Sequence, residues 1–220
     1  MSLNSDTPHI PVASSKPATL CLQCGLRYQC ICSHHPKLDS AVHIALLTHP
    51  NELNRATNTG KLLTQSLANC TVHIWDRVHP PAALLEQIKH QPTYVLFPSD
   101  DAFAVSSITI QDNQQSDAVE PLFIILDSTW QEAKKMLNKS PWLAALPKVM
   151  LHTSNDSHYS LRRNQTTGHL CTCEVGMALL QQREPQRDVT PLQQYFELFL
   201  AVYEEDRNHR VWQEKGKEFL

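Results

Sequence analysis

Four cysteines fall within twelve residues, spaced Cys21-x2-Cys24-x5-Cys30-x-Cys32. Thiolates at such spacing suit a tetrahedral Zn²⁺, and four of them leave no coordination position open for water, so the ion expected here is structural and one per chain. The second pair is tighter than that of a standard zinc ribbon, and the run matches neither common ferredoxin pattern, so an iron–sulfur cluster is the weaker rival. Unrelated reduced thiols are the plain alternative. A second kind of chemistry is carried by residues 122–130, Leu-Phe-Ile-Ile-Leu-Asp-Ser-Thr-Trp. An unbroken apolar run suits a strand buried on both faces, and ligands of open α/β sheets bind at the carboxyl ends of strands. Asp127, Ser128, Thr129 and Trp130 are therefore expected at a ligand crevice. The same residues read equally well as a helix start, with Ser128 or Thr129 as cap, Gln131 or Glu132 following, and Asp127 suited to the helix dipole. The two readings are compatible.

Three further polar loops carry reactive groups. Thr48-His49-Pro50-Asn51-Glu52 follows an apolar run and leads to Arg55-Ala56-Thr57-Asn58-Thr59-Gly60-Lys61. This stretch reads either as a phosphate or substrate contact or as a capped helix start, with Thr57 or Asn58 as the cap. Tyr159-Ser160-Leu161-Arg162-Arg163 supplies paired arginines which, with Lys134, Lys135 and Lys139, could form a phosphate-binding patch or simply a solvated face. Gly168-His169-Leu170-Cys171-Thr172-Cys173-Glu174 runs into another apolar segment, either approaching a ligand or capping a helix. Cys171 and Cys173 read as small packing residues rather than a second metal site.

The elements that must position these groups follow from apolar runs and breakers. Strands are expected at 41–47, 72–75, 93–97, 122–126 and 148–152. Helices are expected within 52–68 and at 81–89, 129–138, 173–182 and 191–204. Alternating strands and helices imply an α/β fold with a largely parallel sheet. Residues 1–18 read as a loose tail, 19–38 as a small metal-held module, 39–220 as the main domain, and 111–119 as a polar insertion.

The chain has 220 residues, a formal net charge of −3 and seven cysteines. It is not globally basic, so nucleic-acid binding would need a local patch. No G-x-G-x-x-G or P-loop motif occurs among its five glycines. No apolar run approaches the ~20 residues of a membrane span, and the N-terminus lacks a basic-then-apolar leader. A cytoplasmic protein with reduced or metal-bound thiols and no membrane contact is expected.

In order along the chain, the cysteine cluster, His49-Pro50-Asn51-Glu52, Thr57-Asn58-Thr59-Gly60-Lys61, Leu96-Phe97-Pro98-Ser99, Asp127-Ser128-Thr129-Trp130 with its following Gln131-Glu132-Ala133-Lys134-Lys135-Met136-Leu137, Leu161-Arg162, and Cys171-Thr172-Cys173-Glu174-Val175 resemble the DTW-domain family of tRNA-uridine aminocarboxypropyltransferases. The resemblance spans roughly 19–205. Ser128 stands where the family often has glycine, Cys171 and Val175 replace the usual serine and alanine, and the prolines common among the N-terminal cysteines are missing. The resemblance implies a SPOUT-like fold with a C-terminal trefoil knot that binds S-adenosylmethionine. It also implies transfer of the 3-amino-3-carboxypropyl group to N3 of a tRNA uridine, position 47 in the bacterial members, with release of 5′-methylthioadenosine. The implied cofactor residues are Leu96 to Ser99, Asp127 to Trp130 and Leu170 to Cys173. The implied tRNA contacts are Arg55, Thr59, Lys61, Lys134, Lys135, Arg162 and Arg163. The chain would act as a monomer or a homodimer.

Uridine N3 must lose its proton during attack, and a carboxylate within reach serves as general base. Asp127 is the first candidate, from its place at a strand end, with binding of the methionine ammonium as its alternative role. Glu174 and Glu52 follow it. Thr129 and Thr172 offer hydroxyls to the cofactor carboxylate, and Arg162 a planar fork to a carboxylate or phosphate. Trp130 either stacks on a ring or joins the core. Three rivals stand beside this reading: methyl transfer from the same donor, an aspartate-nucleophile phosphatase, which lacks its second acid at Thr129, and a zinc-stabilised RNA-binding module without catalysis.

Overall fold

The computed structural model describes residues 19–108, 120–152 and 170–213. The expectations for 1–18, for the insertion at 111–119, and for Arg162 and Arg163 lie outside the described residues. Along the chain come β1 (His43–Thr48), α1 (Gly60–Ser66), β2 (Cys70–Ile74), α2 (Ala82–His90), β3 (Thr93–Leu96) and β4 (Phe103–Ala104). They are followed by β5 (Leu122–Asp127), α3 (Trp130–Lys139), α4 (Pro141–Ala144), β6 (Lys148–Met150), α5 (Thr172–Arg183) and α6 (Thr190–Arg207). The six strands form one sheet in the order β2-β1-β5-β3-β6-β4, and every pairing is parallel.

The sheet explains the apolar run that ends in Asp127. Successive side chains of a strand point to opposite faces. In β5, Phe123 and Ile125 join Ile44 and Leu46 in one core, under α1, α5 and α6. Leu122, Ile124 and Leu126 join Ala45 and Leu47 in the other, under α2, α3 and α4. Both faces are covered, so no position in the strand is left for a polar residue until its carboxyl end.

Every strand and helix expected from the sequence is present, with ends moved by a residue or a few. The described residues add elements the sequence does not announce: β4, with two residues, α4, with four, and three 3-10 turns at Cys32–His34, Pro50–Glu52 and Val105–Ser107. None is long enough to show a period. The cysteine segment does not hang apart from the sheet. Cys24, Leu26 and Ile31 are buried in the same core as α1 and α6. The backbone N–H groups of Arg27 and Tyr28 both donate to Asp206 Oδ1 of α6, at 2.7 Å. Among the described residues, no helix is long and apolar enough to cross a membrane.

Helices α1 and α5, which carry much of the site, touch at Gly176. A Cβ there would lie 2.5 Å from Leu63 Cδ2, and Leu63 is fully buried, so it has nowhere to retreat. Gly176→Ala is expected to cost about 1–3 kcal/mol despite the better helix propensity of alanine. An unchanged denaturation midpoint would show that the two helices separate freely.

Candidate functional site

Strands β1 and β5 are neighbours in register, with Thr48 opposite Asp127. Their carboxyl ends therefore present these two side chains together. Asp127 is almost wholly buried and accepts three hydrogen bonds. Thr48 Oγ1 and Asn58 Nδ2 donate to its Oδ2 at 3.0 and 2.8 Å, and Thr172 Oγ1 donates to Oδ1 at 2.8 Å. Two helices begin against it. Gly60 opens α1, where a Cβ would sit 3.1 Å from Asp127 Cγ and from Asn58 Oδ1. Thr172 opens α5, and the next residue, Cys173, donates its backbone N–H to Thr59 Oγ1 at 3.2 Å. The positive ends of both helices thus face one carboxylate. Asn58 does accept a helix-entry bond, from Gly60 N–H at 2.7 Å, but its amide nitrogen is spent on Asp127. The sequence reading singled out Asp127, Thr59 and Thr172. It gives no sign that Thr48, Asn58 and Gly60 are neighbours of the carboxylate.

The other two acids named from sequence are engaged elsewhere. Glu52 is fully buried and pairs with Arg55 Nη1 at 2.6 Å. Glu174 accepts the backbone N–H of Cys171 at 2.8 Å, closing a capping box at the start of α5. A third acid stands out. Glu132 closes the capping box of α3 with Thr129 and accepts from Asn51 Nδ2 at 2.8 Å. Burial opposes its ionisation. The Thr129 backbone N–H, the Asn51 amide, the Thr129 hydroxyl and nearby His49 outweigh that and bring its carboxyl down from 4.5 to about 2. The carboxylate then stabilises the fold fully above pH 4.5, by on the order of 3 kcal/mol, and the contribution is lost as pH falls toward 2. Glu132→Gln should lower the denaturation midpoint at pH 7 and converge with wild type near pH 2. A difference independent of pH would refute this charge assignment. His49, which stacks on Trp75 at 5.3 Å, belongs to the same cluster.

Leu96 to Ser99 start from the last residue of β3 and Asp127 to Trp130 from the last residue of β5, on adjacent strands. Their rings meet: Phe97 and Trp130 stack at 4.9 Å and 4°. Trp130 is 37% exposed, so it is not a core residue. Lys134 Nζ lies 5.4 Å from its ring centre. Lys135 sits exposed on the same helix. Lys61 packs against the cysteine segment. Its Nζ donates to Ala56 O at 2.8 Å, lies 4.9 Å from the Phe199 ring centre, and abuts Gly25. Burial lowers this ammonium to about 8, against the pull of the Cys24, Cys21 and Cys32 thiols. Among the described residues, Lys61 is thus engaged at the cysteine segment while Lys134 and Lys135 lie on α3.

The four cysteine sulfurs lie within 4.8 Å of one another. Cys21 Sγ is 3.6 Å from both Cys32 Sγ and Cys30 Sγ, and Cys24 Sγ is 4.0 Å from Cys30 Sγ. The edge of a tetrahedron with metal–sulfur bonds of ~2.3 Å is about 3.8 Å, so the donor set fits a tetrahedral, thiophilic ion. Gly25, at φ +75°, makes the turn that returns its own N–H to Cys21 O at 2.8 Å. The Cys24 backbone N–H pulls the Cys21 thiol down to about 6, with burial opposing. Burial pushes Cys70 up to about 12 and Cys171 and Cys173 higher still. These three behave as packing residues, and the described residues hold no other cluster able to share an ion.

A cleft of 360 Å³ opens between the cysteine segment and the ends of β1, β2 and β5. Among the described residues, Asp127 is the one acid on its wall, and Arg55 and Lys61 are its cations.

A family profile for the DTW domain matches residues 18–204. The chain is 31% identical over 196 residues to tRNA-uridine aminocarboxypropyltransferase 2 of Drosophila melanogaster, covering 84% of this chain and 73% of the fly protein. It is 27% identical to the Macaca fascicularis protein of the same name, over 78% of this chain and 58% of that one. It is 29% identical to tRNA-uridine aminocarboxypropyltransferase A of Arabidopsis thaliana, over 71% and 69%. No solved structure matches the chain.

Proposed function

Because the chain belongs to the DTW-domain family, we propose that it moves the 3-amino-3-carboxypropyl group of S-adenosylmethionine to N3 of a tRNA uridine, with position 47 as the favoured site. The observation that carries this reading is the Asp-Ser-Thr-Trp segment. It lies at the carboxyl edge of a parallel sheet, where the end of β1 and the starts of α1 and α5 converge on one buried carboxylate.

The sulfonium makes its neighbouring carbons electrophilic, so the product depends on which carbon is aimed at the base. In this reading the loops Leu96 to Ser99, Asp127 to Trp130 and Leu170 to Cys173 hold the donor with its Cγ toward the acceptor. Uridine N3 attacks Cγ, the carbon–sulfur bond breaks with its electrons going to sulfur, and 5′-methylthioadenosine leaves. The N3 proton passes to Asp127, whose orientation Thr48, Asn58 and Thr172 hold. Glu174 and Glu52 act at one remove, by fixing the α5 start and Arg55. Arg55, Thr59, Lys134, Lys135, Arg162 and Arg163 are our candidates for tRNA contact, and Lys61 ties the cysteine segment to α1. The insertion of β5 between β1 and β3, and of β6 between β3 and β4, supports assignment to the SPOUT class with its trefoil knot. The metal is zinc, held by Cys21, Cys24, Cys30 and Cys32, and its part is structural.

The test is incubation of purified protein with unmodified tRNA and S-adenosylmethionine, followed by nucleoside mass spectrometry. A uridine heavier by the aminocarboxypropyl group supports the reading. A methylated nucleoside, or tRNA bound but unchanged across a panel of tRNAs, would replace it.

A further inference from the structure

We propose that the cleft between the cysteine segment and the β1–β2 edge is the pocket for the acceptor base, a uracil extruded from its RNA. The inference rests on the transfer reading above and adds where the acceptor sits. At 360 Å³, the cleft lies at the small end of the ~300–1,000 Å³ range of ligand sites, suited to one nucleoside and not to a nucleic-acid helix.

Its walls are apolar where water would be expected. Leu20, Leu22, Leu53 and Val72 line it and are 43, 93, 47 and 51% exposed, so it gathers four of the ten exposed large hydrophobics among the described residues. Leu20 and Leu22 come from the cysteine segment, Leu53 from the turn after β1, and Val72 from the outer strand of the sheet. Apolar walls of this kind receive the face of an unstacked base.

The floor is polar and selective. Thr48, Asn58 and Asp127 form it, and the two donors already turn toward the carboxylate. What the floor offers an entering base is therefore an acceptor. Uracil presents N3–H to it. Cytosine presents a lone pair at the same position and is repelled. At the rim, Arg55 is held by one terminal nitrogen on Glu52, a placement suited to a backbone phosphate. The candidate donor-binding loop after β3 lies across β5 from β1, so acceptor and donor would approach Asp127 from opposite sides.

One consequence follows for the cysteine segment. It supplies a wall of the acceptor pocket, so it contributes to base placement and not to donor binding.

The experiment compares wild type with Val72→Phe, which fills the cleft from an exposed strand position, and with Ile74→Phe, equally exposed at 51% but outside the lining. Leu22→Ala, at the most exposed wall position, is the second cleft variant. Transfer to tRNA, S-adenosylmethionine affinity and thermal stability are measured for each. Val72→Phe is expected to lower kcat/KM for tRNA by about 10²-fold, the scale of a misplaced reacting atom, with donor affinity and stability unchanged. Leu22→Ala is expected to lower it severalfold, and Ile74→Phe to match wild type. An active wild type with equally active Val72→Phe overturns the pocket alone. A wild type that binds the donor and transfers nothing to any tRNA overturns the functional reading, and the pocket with it.

Discussion

Asp127→Asn is expected to bind S-adenosylmethionine and to transfer the aminocarboxypropyl group at least about 10²-fold, and up to 10⁴-fold, more slowly than wild type, the range for loss of a general base. The substitution keeps the volume but replaces an acceptor oxygen with an N–H₂. Oδ2 accepts from Thr48 and Asn58 and Oδ1 accepts from Thr172, so an amide nitrogen at the Oδ2 position meets the Asn58 donor, and one at the Oδ1 position makes the Thr172 hydroxyl turn from donor to acceptor. The buried mismatch costs about 1–3 kcal/mol, and a lower melting temperature is expected as well. Thr172→Val separates the two effects. It removes one donor and leaves the carboxylate, so it should reduce stability comparably while costing far less activity. Equal loss of single-turnover activity in the two variants at saturating donor, with donor binding retained in both, would make Asp127 a scaffold and move the base elsewhere. The measurements are single-turnover transfer, donor binding and thermal denaturation on the same preparations.

Cys24→Ser is expected to release the metal and to destabilise the chain by about 3–5 kcal/mol, part of the ~10–16 kcal/mol with which structural zinc sites bind their ion. Cys24 is fully buried and packs with Leu26 and Ile31 in the core shared with α1 and α6. Loss of one thiolate therefore loosens more than the cysteine segment. The turn carrying Gly25 rests against Lys61, and Lys61 is followed along α1 by the core residues Leu62 and Leu63. Metal content of the purified protein should fall from one zinc per chain to none. Transfer to tRNA should fall with it, while the β3 and β5 loops keep their donor affinity. A wild-type protein that contains no zinc, or a metal-free variant of unchanged stability, would contradict this.

The sheet was legible in the sequence because its signals are local. The β5 run is apolar throughout since both faces are covered, and Thr129 announces α3 because its cap is completed by Glu132 three residues on. The cysteines could be read as one site because their spacing lies within twelve residues. The arrangement around Asp127 was not legible, for the opposite reason. Its partners lie 79, 69 and 45 residues away, and a threonine that ends a strand looks the same whether it faces water or a carboxylate. Only the pairing of β1 with β5 decides that. For Trp130 the sequence left two readings open, stacking on a ring or joining the core; only its place at the first turn of α3 decides, leaving it stacked on Phe97 at the surface. Lys61 reads either as a phosphate contact or as part of a capped helix start, and only the return of the cysteine segment over α1 shows that it is buried. The cleft has no sequence signature, because its walls come from three separate segments.

The most direct test uses S-adenosylmethionine carrying one label in the carboxyl group and another in the methyl group, mixed with purified protein and unmodified tRNA. The reading advanced here predicts the carboxyl label on the tRNA, at uridine N3, and the methyl label in released methylthioadenosine. The methyl label on the tRNA, with the carboxyl label left in S-adenosylhomocysteine, would contradict it.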